Sequence, residues 1–173
     1  MKNNTKRIGL LFDSIRSPYD IANIIQVTVA LDCDIYTSGN CIDFQNRKIV
    51  NKLTNWGMTK YPNIIHFNTI EEAINEFHKQ GKKVYGTSPH ATSDFYNIDI
   101  NKEDIIIAFG NESKGFSKKA MEKMDDVTFI PMKNLNFLTL PIAVSAVAFE
   151  LNRQLNLSLI HISEPTRHAR ISY

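Results

Sequence analysis

Three stretches of this 173-residue chain hold residue types that could do chemistry at short spacing. Asp13-Ser-Ile-Arg-Ser-Pro-Tyr-Asp20 puts two carboxylates and a guanidinium within eight residues. Gly110-Asn-Glu-Ser-Lys-Gly-Phe-Ser117 sets a carboxylate and a lysine between two glycines, and Pro131-Met-Lys-Asn-Leu-Asn-Phe-Leu-Thr139 mixes amide and apolar side chains. The second stretch nearly matches the loop that cradles nucleotide phosphates, but Phe116 stands where that loop requires lysine. The charge that meets the β- and γ-phosphates is missing, which excludes an NTPase. No G-x-G-x-x-G follows the first apolar run, so the dinucleotide fingerprint is absent too. Glu112, just after Gly110-Asn111, reads as functional. Asp20 fits equally a role in a site and a favourable place at a helix N-terminus. Lys114, Lys118, Lys119, Lys123 and Lys133 form a solvated face or a phosphate-contacting rim.

Those stretches need elements to hold them. Ile8–Phe12, Asp34–Thr37, Ile64–Phe67, Lys83–Thr87, Asp104–Phe109 and Val127–Met132 read as strands, with IIIAF the clearest. Ser17-Pro18 opens a helix that ends near Asp32; Gln45–Trp56 is a second, with Trp56 on its apolar side. A third begins at Asn68-Thr69 and stops at Gly81, a fourth spans Ser117–Met124, and a long apolar one spans Leu140–Leu155. This alternation predicts an α/β domain with a mostly parallel sheet flanked by helices, and the chemistry-bearing stretches fall where its strands end.

Composition narrows the classes. With 43% hydrophobic residues and a net charge of +2, the chain is neither disordered nor forced toward a polyanion. No apolar run reaches membrane-spanning length, and the Met1–Arg7 start leads into too short an apolar run for a signal peptide. A cytoplasmic location without a membrane is therefore expected. Cys33 and Cys41 form no disulfide framework, and His66, His78 and His90 share no metal spacing, so no metal is expected. Residues 1–157 read as one domain. SLIHISEPTRHARISY (158–173) holds two of the six arginines in a lysine-preferring chain. Its first ten residues resemble a translated sequencing adaptor, so 158–173 is read as a non-native tail.

FGNESKGFS (109–117) resembles the second motif of the SpoU-type (TrmH-like) RNA 2′-O-methyltransferases of the SPOUT superfamily. Asp13–Asp32 resembles their first motif, and FIPM (129–132) followed by LPIAVSAVAFELNRQ resembles their third. The matches occur in order and cover nearly all of residues 8–155. The resemblance implies a C-terminal deep trefoil knot, S-adenosyl-L-methionine as cofactor, tRNA or rRNA as substrate, methylation of a ribose 2′-hydroxyl, and a homodimer. Carried over by position, cofactor contacts fall at Gly86, Thr87, Gly110, Asn111, Glu112, Ile130, Met132, Leu138 and Thr139.

The chain departs from the family where chemistry is expected. Asp20 stands at the family's asparagine and Gln26 at its catalytic arginine, and the third motif's small polar run reads Phe137-Leu-Thr-Leu-Pro141. Glutamine is neither charged nor titratable. Arg16, near the same loop, is a substitute guanidinium, so Arg16, Asp20, Gln26 and Glu112 are the catalytic candidates. Two rivals stand beside the methyltransferase: a catalytically inactive knotted module binding cofactor or RNA or forming dimers, and a small-molecule α/β enzyme.

Overall fold

In the computed structural model, which describes residues 7–100 and 104–160 with side chains through 157, the apolar run Ile105–Phe109 lies near the middle of a seven-stranded parallel sheet. The strands are β1 (Gly9–Asp13), β2 (Asp34–Ser38), β3 (Ile64–Phe67), β4 (Lys83–Thr87), β5 (Ser93–Asp94), β6 (Ile105–Phe109) and β7 (Asp126–Phe129), in the order β3-β2-β1-β6-β4-β7-β5. The helices are α1 (Pro18–Ala30), α2 (Arg47–Asn55), α3 (Ile70–Lys79), α4 (Lys118–Lys123) and α5 (Leu140–Ile160).

Strand parity divides the core. Leu10, Phe12, Ile105, Ile107 and Phe109 point into one apolar cluster with α1, α2 and α5. Leu11, Ile106 and Ala108 point into the other with α3 and α4. Alternate side chains of buried strands thus face opposite helical layers, as the two-residue period of a strand requires.

Side-chain caps set the helix starts. Ser17, Thr69 and Ser117 accept the N–H groups of Asp20, Glu72 and Ala120 at the starts of α1, α3 and α4. The α2 helix opens at Arg47 rather than Gln45 because Asn46 caps it through Lys48 N (2.9 Å) and the Asp43 carboxylate holds Gln45 N (2.9 Å). Trp56 is the C-cap of α2 and is 41% exposed, so it does not join the core. Strand β7 stops at Phe129, short of the expected Met132. Its partners run out at Thr87↔Thr128 and Asp94↔Phe129, and Pro131 has no N–H to give a ladder. Strand β5 and the 3-10 turn Phe95–Asn97 had no sequence signal. The backbone of α5 runs on to Ile160; the rest of the 158–173 segment lies outside the described residues.

One carboxylate ties three elements together away from the motif loops. Asp125 accepts Val84 N (2.7 Å) and His78 Nε2 (2.8 Å), with Lys83 Nζ at 3.6 Å. Burial pushes its carboxyl up, but the Val84 N–H, His78 and Lys83 outweigh burial and hold it below its ordinary value. A carboxyl depressed in the folded state contributes stability that is present above its unfolded pKa and lost as pH falls through the native one. Asp125→Ala is expected to lower stability by about 1–2 kcal/mol at neutral pH. In denaturant titrations that deficit should shrink below about pH 4.

Candidate functional site

All strands are parallel, so the loops that leave β1, β6, β4 and β7 emerge at one end of the sheet, from adjacent strands. Phe12 and Phe109 form the floor beneath two of them. Both are buried, and their rings stack with centroids 5.5 Å apart.

Asn111 closes the loop after β6 on itself. Its backbone pairs with Gly115 in both directions (3.2 and 2.9 Å), and its Oδ1 accepts the Ser113 and Lys114 N–H groups (both 3.0 Å) and the Ser113 hydroxyl (3.2 Å). Its Nδ2 donates to Ser14 O at 2.6 Å, joining this loop to the one after β1. Gly110 is required by that closure. A Cβ there would lie 2.7 Å from the Gly115 carbonyl carbon and 2.8 Å from its oxygen, a backbone contact that no rotamer relieves.

Glu112 makes the second junction. Its Oε1 accepts the N–H groups of Arg16 (3.1 Å) and Ser17 (3.2 Å) at the entry to α1, where a negative charge is favoured. Asp20 lies on the first turn of that helix, and burial, then the charge of Glu112, pushes its carboxyl above the ordinary value. The structure thus brings Glu112, Asp20 and the backbone of Arg16 into one group. The Arg16 guanidinium leans toward β2, where Nη1 donates to Asn40 Oδ1 (3.1 Å) and Asn40 O (3.3 Å). Gln26 is exposed beyond the first turn of α1, and among the described residues no hydrogen bond joins it to the group.

Gly86 and Thr87 end β4. Gly86 is buried, with Met124 Sδ 2.6 Å from where its Cβ would be, and Thr87 Oγ1 donates to Ala108 O (3.0 Å). Ile130, Met132 and Leu138 are half-buried and Thr139 is exposed along the connection from β7 to α5. Met132 and Leu138 belong to neither core cluster, so these apolar side chains are free to line a ligand. Half-buried apolar side chains beside loops that offer backbone polar groups suit a ligand with an apolar body and polar edges.

Sequence reasoning gave no role to three supporting residues, of which Asp13 and Ser14 lie in the first chemistry-bearing stretch. Ser14 holds a positive φ of 55° and is bonded to Ser38 O through its N–H, to Asn40 N through Oγ and to Asn111 through its carbonyl. Asp13, whose carboxyl burial pushes up, accepts Ser38 Oγ at 2.9 Å. Asn40 receives Arg16. For Asn40 the sequence signal was Ser38-Gly39-Asn40, read as a turn; Gly39 has φ +65° and faces Ser14 Oγ. A cavity of about 590 Å³, lined by Lys83, Asp94, Asn97 and Asp126 among others, opens beside β5 and the N-terminal ends of β4 and β7, away from this group. Among the described residues no cluster of three or more metal-ligating side chains is present, and no helix is long and apolar enough to cross a membrane.

Residues 7–149 match the model of the SpoU rRNA methylase family. The chain belongs to that family. An uncharacterized tRNA/rRNA methyltransferase of Synechocystis sp. is 25% identical over 150 residues, covering 86% of this chain and 54% of that protein. The SpoU methyltransferase AviRb from Streptomyces viridochromogenes, solved in complex with AdoMet, superposes with a TM-score of 0.76 at 23% identity, over 91% of this chain and 63% of that one. A structure solved for the 2-OH methylation of C/U34 on tRNA gives the same TM-score at 20% identity, over 90% of this chain and 94% of that one. These likenesses establish the SpoU α/β fold. The chain spans 54 to 64% of the length of the curated relatives it matches.

Proposed function

We propose that this SpoU-family chain is an S-adenosyl-L-methionine-dependent methyltransferase acting on a ribose 2′-hydroxyl of tRNA or rRNA. The observation that carries the reading is the junction of the first and second motif loops through Glu112 and Asn111, in a chain whose family model spans both. Gly86, Thr87, Gly110–Glu112, Ile130, Met132, Leu138 and Thr139 are the cofactor contacts in this reading. The bound cofactor supplies an electrophilic methyl group on its sulfonium. Glu112 fixes the start of α1 and, with Asp20, orients the ribose. Burial and the charge of Glu112 raise the proton affinity of the Asp20 carboxylate, the direction a general base needs. Arg16, braced by Asn40, holds a substrate phosphate, a task glutamine at position 26 cannot do.

A homodimer and the C-terminal knot belong to the same reading. Ile142, Phe149 and Leu157 are 56, 49 and 47% exposed and recur at seven- and eight-residue spacing, an uncovered stripe on α5 that suits a second copy. For the knot, the support is that Phe95, Ile98 and Ile100, between β5 and β6, share a core cluster with Val144, Val147 and Leu151 of α5.

Calorimetry with S-adenosylmethionine tests the reading. One cofactor bound per chain is expected, and a folded protein that binds none removes the proposal. Gly110→Ala, which drives a methyl group into the Gly115 backbone, is expected to weaken that binding about tenfold or more and to lower the thermal midpoint by about 2–12 °C. A second reading, an inactive cofactor- or RNA-binding module, is favoured by Gln26 alone; it predicts binding without transfer.

A further inference from the structure

Two large aromatic rings lie in the open beside the α1 entry. Tyr19, on the first turn of α1 between Arg16 and Asp20 in the chain, is 62% exposed, and Trp56 is 41% exposed. Lys52 binds them into one patch, with Nζ 3.9 Å from the Tyr19 ring centroid and 5.7 Å from that of Trp56. A cation on one face of Tyr19 leaves the rest of that ring to solvent. An ammonium between two aromatic faces also draws a negatively charged, π-faced partner.

On the α2 side of the patch the charge along the chain has one sign. Residues 45–60 contain Arg47, Lys48, Lys52 and Lys60 and no acidic residue. Arg47, Lys48 and Lys60 are exposed, and among the described residues none of the four is in an ion pair. Cations that protein carboxylates do not use are available to phosphates. Stacking rings interleaved with unpaired cations are what unpaired nucleotides bind.

We propose that Tyr19, Lys52 and Trp56 form a platform on which an unpaired base of the RNA stacks, with Arg47, Lys48 and Lys60 meeting its phosphates. The inference rests on the reading of the chain as an RNA methyltransferase and extends it by placing the nucleotide neighbouring the modified one against α2. Tyr19 is the link, since it is one residue from Asp20 and touches Lys52.

Trp56 is the only tryptophan, so its fluorescence reads the platform directly. The full chain is titrated with a short single-stranded RNA and, in parallel, with an abasic oligomer of equal length, binding being followed by anisotropy of a terminal label. The RNA is expected to quench Trp56, the abasic oligomer to bind without quenching, and Tyr19→Ala to weaken only the base-bearing ligand, about tenfold. No RNA binding, equal quenching by the abasic oligomer, or an unchanged affinity in Tyr19→Ala overturns the platform. So does a Tyr19→Ala protein that sediments as a smaller species with unaltered RNA affinity, since the patch is then a contact between copies. Calorimetry with S-adenosylmethionine on the same sample separates the two readings. Cofactor binding with an unquenched Trp56 removes the platform alone; quenching without cofactor binding removes the methyltransferase alone.

Discussion

Replacing Glu112 by alanine is expected to reduce methyl transfer about a hundredfold or more while the protein stays folded. The carboxylate accepts the Arg16 and Ser17 N–H groups at 3.1 and 3.2 Å, and both lie near the surface, where water can take its place. Stability therefore changes little. What is lost is the fixed relation between the loop after β6 and the first turn of α1, on which Asp20 sits. Misplacement of reacting groups by about an ångström is enough for a loss of this size. Glu112→Gln separates geometry from charge, because its amide oxygen can still accept both N–H groups and should keep cofactor affinity near that of the parent. Either variant removes a charge that helps push the Asp20 carboxyl up. Asp20 then ionises at lower pH, and the acidic limb of the transfer rate should move to lower pH. Rates measured against pH for the parent and both variants check this.

The second large effect is structural. Phe12→Ala is expected to destabilise the protein by about 3–5 kcal/mol. For a chain of this length that lowers the thermal midpoint by about 6–20 °C. Phe12 is fully buried, stacked on Phe109 at 5.5 Å and tilted against Phe44 at 6.0 Å, so truncation opens a cavity among rings on separate strands and loops. Phe12 and Phe109 immediately precede Asp13 and Gly110, so the cavity lies under the site and S-adenosylmethionine affinity should fall with stability. Phe77→Ala serves as the comparison. Phe77 is equally buried, but in the cluster on the opposite face, against Tyr36 and Phe67. A similar fall in midpoint with cofactor affinity retained is expected, read by differential scanning calorimetry and binding calorimetry.

Local chemistry made most of the elements legible in the amino-acid order. Ser17-Pro18, Thr69 and Ser117 announced helix starts because a side-chain oxygen three residues ahead of a free N–H acts within one turn. The run IIIAF announced a buried strand because both of its faces are covered. Features that depend on distant partners did not show. Strand β5 is two residues long and exists only through its pairing with β7. Trp56 has helical spacing to Leu53, yet it is the C-cap, and its exposed ring lies beside Lys52 rather than in the core.

The site divides along the same line. Asn40, Gly86 and Thr87 lie outside all three motifs, whereas Glu112, Asp20 and Arg16 stand in the first two and could be singled out. Their division of labour could not, since it depends on contacts across 95 and 96 positions from Ser17 and Arg16 to Glu112, and 24 from Arg16 to Asn40. The positive φ of Ser14 is equally invisible, being imposed by Ser38, Asn40 and Asn111 together.

The most direct measurement is nucleoside mass spectrometry of tRNA and rRNA, taken from cells lacking this gene and incubated with the protein and isotopically labelled S-adenosylmethionine. Label in a ribose 2′-O-methyl nucleoside, lost in Glu112→Ala, is the predicted result. Label confined to a base, or no label in any RNA from a protein that calorimetry shows to hold the cofactor, would contradict it.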